Sequence, residues 1–135
     1  MASVIPKEVK KEIVDGWVAE TTWKVCLLTT GFTYVFGTHN TYATLTNEVF
    51  GAGYTAGGKI LTGRVGDYIE TINHRINADD TAWPGATFAN VRWVVVYETT
   101  GGKIRAVYDL TGYPYSVTSG TFTVQWAAAG LIQIS

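Results

Sequence analysis

"NVRWVVVYETTGGKIRAVYDL", residues 90–110, decides the fold class. Val91, Trp93, Val95 and Tyr97 alternate along one side of the first run, with Arg92, Val94 and Val96 on the other. A period of two in β-branched and aromatic residues is a strand pattern. "GKIRAVYDL" (102–110) follows across "TTGG", so the two runs form a β-hairpin with a glycine turn.

The strand pattern extends in both directions. "TWKVCLLTT" (22–30) is apolar on both faces in its second half, as a central strand is. "KILTGRV" (59–65) and "DYIETINHRIN" (67–77) follow, the latter with Glu70 and His74 on the same side as Tyr68, Ile72 and Ile76, which suggests an edge strand or a bulge. "GTFTVQW" (120–126) and "GLIQI" (130–134) close the chain. In "NADDTAWPG" the Asx-rich sequence before Trp83-Pro84-Gly85 reads as a turn. The N-terminus reads as one short helix, about residues 4–15, with Ser3 as cap, Pro6 in the first turn and Gly16 just past the end. Val9 and Ile13 share a narrow apolar stripe with Ile5. About seven short strands, frequent turn glycines and one helix predict a mainly β protein: a single antiparallel β-sandwich or barrel-like domain over 1–135, its strands from about 22 to 134.

"TNEVFGAGYTAGGKIL" (46–61) raises a chemical question. A dinucleotide fingerprint needs its glycines between a strand and a helix, and a Walker loop needs Gly-Lys-Ser/Thr opening a helix. This stretch leads into a strand, and Gly58-Lys59 is followed by Ile60. It therefore reads as a tight, irregular connection, with Tyr54 the one large side chain it presents.

Charged residues are 16% of the chain and hydrophobic ones 47%, with a net charge of −1. No basic excess marks a nucleic-acid surface, and no apolar run reaches membrane-spanning length. The N-terminus lacks the apolar core of a signal peptide, so synthesis in the cytoplasm is expected. Cys26, the one cysteine, lies among apolar neighbours and reads as a small buried hydrophobe, so neither a disulfide nor thiolate chemistry is expected. His39 and His74 lack a second ligand at metal spacing, and Asp79 and Asp80 are too few for a calcium loop, so no metal or other cofactor is expected. No catalytic constellation emerges. Trp23, Trp93, Phe122 and Trp126 fall at core positions, whereas Tyr113 and Tyr115, flanking Pro114, and the aromatics of "GFTYVFG" sit in loop-like stretches. Exposed loop aromatics suit a protein interface or a sugar platform.

The chain as a whole, from about residue 6 to 135, resembles a widespread group of small virion structural proteins of tailed bacteriophages. The resemblance is carried by "WKVCLLTT", "TNEVFGAGYTAGGKIL", "NADDTAWPGATF", "RWVVVY" and "GTFTVQWAAAGLIQI". "RVGDYIETINHRIN" and "TGYPYSVTS" depart from its pattern, as sites tailored to one partner would. The resemblance implies a non-enzymatic virion component that assembles with itself, as a trimer at a local symmetry axis, and with proteins such as the major capsid protein. Head decoration (cement) is the first reading. A neck, tail or fibre-attachment subunit is the alternative, as is a carbohydrate-binding β-sandwich for the host surface. Val9, Ile13, Tyr54, Tyr113 and Tyr115 are the expected partner contacts.

Overall fold

The computed structural model describes residues 7–20, 22–69, 73–110, 112–127 and 131–134. Its architecture is mainly β with antiparallel sheets, as the strand runs indicate, and among the described residues it has one α-helix. The chain forms two compact units: residues 1–20, 62–80 and 125–135 make the first, and 21–61 and 81–124 the second.

The first unit holds helix α1 (Lys7–Val18) and a sheet of β3 (Val65–Ile69), β4 (Asn73–Asn77) and β8 (Ile132–Ile134), in that order and antiparallel. The stretch read as one strand over 67–77 is thus two strands, in register from Val65 opposite Asn77 to Ile69 opposite Asn73. The helix also runs past its expected end. Gly16 lies inside it, because the Arg64 guanidinium donates to the carbonyls of Trp17 (3.1 Å) and Glu20 (2.5 Å), so the last turn needs no left-handed glycine. α1 packs against β3 and β4. Val14, which the sequence stripe left out, is buried, and Gly66 is small because a Cβ there would stand 2.4 Å from Val14 Cγ1. Ser3, Ile5, Pro6 and the side chain of Val9 lie outside the described residues.

The second unit is built on β5 (Thr81–Glu98), an 18-residue strand. β1 (Trp23–Thr29) pairs with its second half, from Trp23 opposite Glu98 to Thr29 opposite Val91. The two-residue β2 (Lys59–Ile60) extends β1. On the other edge of β5, β6 (Ile104–Asp109) pairs with Trp93–Tyr97, and β7 (Tyr115–Val124) pairs with Thr81–Val91. Both β1 and β6 pair at Trp93–Tyr97, and both β1 and β7 at Val91, so β6 and β7 lie end to end along one edge.

Trp83-Pro84-Gly85 lies within β5. Proline has no amide to donate, and a register shift between Trp83 and Ala86 takes Pro84 and Gly85 out of the ladder. The 99–102 turn between β5 and β6 is closed from inside by Glu98, whose carboxylate accepts the Gly101 (2.6 Å) and Thr100 (3.0 Å) amides. Those bonds hold its carboxyl below the usual range. One face of the sheet packs Cys26, Leu28, Trp93, Val95 and Tyr97 with Phe32. Trp93 Nε1 donates to the Phe32 carbonyl at 3.0 Å, so this buried indole leaves no polar atom unpaired.

Candidate interaction surface

The glycine-rich stretch is a strap bound to the sheet by its backbone. The Asn47 carbonyl accepts from Thr29 N–H at 2.8 Å and Val49 N–H donates to the Leu27 carbonyl at 3.0 Å. From there the chain comes so close to the strands that side chains cannot fit. A Cβ would stand 2.3 Å from the Thr87 carbonyl at Gly51, 2.8 Å from Ala86 Cα at Gly53 and 1.9 Å from the Val25 carbonyl at Gly58, all at positive φ. Its amides are engaged internally: Tyr54 N–H donates to Gly51, Gly58 N–H to Thr55 and Gly57 N–H to Glu48.

Glu48 is the hub of the strap. Its carboxylate accepts from Tyr42 (2.6 Å), Tyr54 (2.5 Å) and Gly57 N–H (2.9 Å). Tyr97 donates to the Gly57 carbonyl at 2.5 Å and stacks on Tyr42 with centroids 4.6 Å apart. Burial pushes the phenols of Tyr42, Tyr54 and Tyr97 well above the usual tyrosine range; for Tyr42 and Tyr54 the bond to Glu48 adds to it. Burial likewise pushes the Cys26 thiol up, with the Glu48 charge second. Tyr54 is half-buried, its ring 5.9 Å from Phe88 and 6.0 Å from Trp83, so most of this expected contact residue packs within its own unit.

The other expected contacts fall differently. Ile13 is half-buried on α1. Tyr113 and Tyr115 are exposed at 44% and 41%, but Tyr115 opens β7 instead of lying in a loop. Tyr113 is braced from one side: Arg92 forks onto Asp109 (Nε to Oδ1 2.8 Å, Nη2 to Oδ2 2.9 Å), and its guanidinium carbon sits 4.0 Å from the Tyr113 ring centroid. The Arg92 bonds hold the Asp109 carboxyl below its ordinary range.

Among the described residues the most exposed large apolar side chains are Phe36 (91%) and Phe50 (88%). Phe36 sits on a turn closed on itself, where the Val35 carbonyl accepts from the amides of Thr38 and His39 and Val35 N–H donates to His39 Nδ1 at 2.8 Å. Phe32, from the same aromatic run, is buried. Phe50 was not singled out in the sequence. Its signal was parity: Val49 is buried against the sheet, so the next side chain points away. A separate cleft of about 370 Å³ is lined by Tyr34, His39 and Asn40, by Trp93, and by Arg105, Val107 and Asp109 of β6.

Among the described residues no group of three or more His, Cys, Asp or Glu is placed to hold a metal ion, and no helix is long and apolar enough to cross a membrane. Asp79 is tied within its own unit: its amide bonds to the Thr62 carbonyl, its carboxylate to Thr62 Oγ1 and its carbonyl to Trp126 Nε1. No protein-family model, no curated protein and no solved structure matches the chain.

Proposed function

We propose that this chain is a non-enzymatic structural subunit of a tailed-phage virion, a head decoration (cement) protein that contacts copies of itself and the major capsid protein. The observation that carries the reading is the pair Phe36 and Phe50, each almost wholly in water and each held by a bonded backbone frame. Covering a side chain of that size is worth about 1.5–3 kcal/mol. A rigid frame adds little ordering cost when a partner covers it. The low charge favours contact with protein over nucleic acid, and the resemblance of "TNEVFGAGYTAGGKIL" and its companions to phage virion proteins supplies the class. A sugar platform at Tyr113 has less support, because Arg92 already occupies one face of that ring.

Phe36→Ser and Phe50→Ser, singly and together, test the reading on shells stripped of this chain. Rebinding should fall, most in the double variant, while unfolding stability stays within about 0.5 kcal/mol of the parent, as for surface substitutions. Undiminished rebinding of the double variant would overturn this use of the surface.

A further inference from the structure

We propose that the turn presenting Phe36 is a proton-operated latch, shut while His39 is neutral and open once its imidazole takes up a proton. The latch rests on geometry alone; its use as a control on partner contact rests on the function proposed above.

The segment between Phe32 and Asn40 is pinned at both ends. Phe32 is buried, its N–H donates to the Thr29 carbonyl at 3.1 Å and its carbonyl accepts Trp93 Nε1 at 3.0 Å. At the other end the Asn40 carbonyl accepts Ile104 N–H of β6 at 3.0 Å. Between these anchors the chain reverses through Gly37, at φ 83°. The turn closes on Val35. Its carbonyl accepts the amides of Thr38 (3.2 Å) and His39 (3.1 Å), and its own N–H donates to His39 Nδ1 at 2.8 Å. The side chains that lock the turn are Asn40, whose Nδ2 donates to the Gly37 carbonyl at 2.9 Å, and His39. Of the two, only an imidazole changes charge within about pH 5–8.

An Nδ1 that accepts a hydrogen bond carries no proton, so the neutral ring is the Nε2–H tautomer. Protonation places an N–H on Nδ1, facing the Val35 N–H across the 2.8 Å that one hydrogen bond spans. Two donors cannot share that line, so the bond is lost and the ring or the Val35 peptide turns away. The shut turn excludes the proton, and by linkage its population falls as His39 protonates.

The surroundings of His39 do not reverse that sign. The Phe32 and Tyr34 rings stand 4.8 Å and 6.0 Å from it, centroid to centroid, and favour a cation. The charged groups that line its cleft are Arg105 and Asp109, whose fields on an imidazolium oppose each other. These neighbours bear on how readily the proton binds, not on whether a protonated Nδ1 can accept. Phe36 follows Val35 directly, so opening the latch removes the frame that holds its ring out. A contact through Phe36 then carries the ordering cost that the shut turn avoids, and binding weakens in acid.

Nitrogen-15 NMR on the full chain tests the latch. At about pH 8 the His39 ring should show Nδ1 bare and Nε2 protonated. On titration to about pH 5 the Val35 amide resonance should move with the midpoint of the His39 ring, and its hydrogen-exchange protection factor should fall about 2- to 10-fold, the worth of one hydrogen bond. His39→Gln, whose amide gains no proton in this range, should leave the Val35 amide independent of pH; if that variant fails to fold, the parent titration decides. A Val35 amide that stays put while the His39 ring titrates, or an Nδ1 that carries the proton at the alkaline end, would overturn the latch. Rebinding to stripped shells should weaken in acid more for the parent than for His39→Gln. Equal weakening in both, with Phe36→Ser still lowering rebinding at neutral pH, would overturn the control and leave the proposed surface standing.

Discussion

The Tyr54 hydroxyl donates to Glu48 Oε2 at 2.5 Å and accepts Leu27 N–H of β1 at 3.1 Å, so one phenol ties the strap to both its own carboxylate and the sheet. Tyr42 and Gly57 converge on the same carboxylate. The 46–61 segment, which carries Phe50, is held by this hub as well as by its backbone contacts.

Removing the hub should therefore loosen the strap. Glu48→Ala leaves two hydroxyls and an amide without their acceptor and should cost about 2–3 kcal/mol in chemical denaturation. Tyr97→Phe, which removes one bond to the Gly57 carbonyl, should cost about 1 kcal/mol. A Glu48→Ala loss no larger than that of Tyr97→Phe would mean that the carboxylate is not the hub.

Two glycine substitutions should have opposite signs. Gly58→Ala meets both a positive φ and the Val25 carbonyl, and should destabilise by more than about 2 kcal/mol. Gly16→Ala sits inside α1 with nothing within 4 Å of the new Cβ, and should stabilise by about 0.5–1 kcal/mol. Thermal unfolding of both reads the contrast, and equal effects would contradict the description of the strap.

Alkaline pH should unfold the chain through its tyrosines. The phenols of Tyr42, Tyr54 and Tyr97 are raised in the folded state, so their contribution is fully present below the unfolded tyrosine value of about 10 and is lost as pH rises above it. Stability should fall progressively above pH about 10, and tyrosinate absorbance from these three should appear only with unfolding. Cys26, fully buried with a raised thiol, should resist thiol reagents in the folded protein and react at once in denaturant. Tyrosinate absorbance from all eight tyrosines before unfolding, or rapid native labelling of Cys26, would contradict this packing.

The strands most legible in the sequence are those whose alternation is set by burial on the sheet. Trp93, Val95 and Tyr97 alternate onto the face that packs Phe32, and the hairpin to Ile104–Asp109 could be read directly from "TTGG". Pro84 and Gly85 fit inside β5 because a register shift against β7 absorbs them, which only the pairing partner reveals. Tyr54 was legible as a large side chain in a glycine loop, but its direction depends on Glu48, six residues earlier, folding back to meet it. Phe36 stood out between glycines, whereas Phe50 needed the inward position of Val49 to reveal it.

The copy number of this chain relative to the major capsid protein, measured by quantitative gel densitometry of purified virions, tests the functional proposal most directly. A ratio near one, or near a simple fraction of one set by the capsid lattice, is the predicted result. A low copy number would contradict head decoration and move the chain to the neck, tail or fibres, and its absence from the particle would contradict the virion assignment itself.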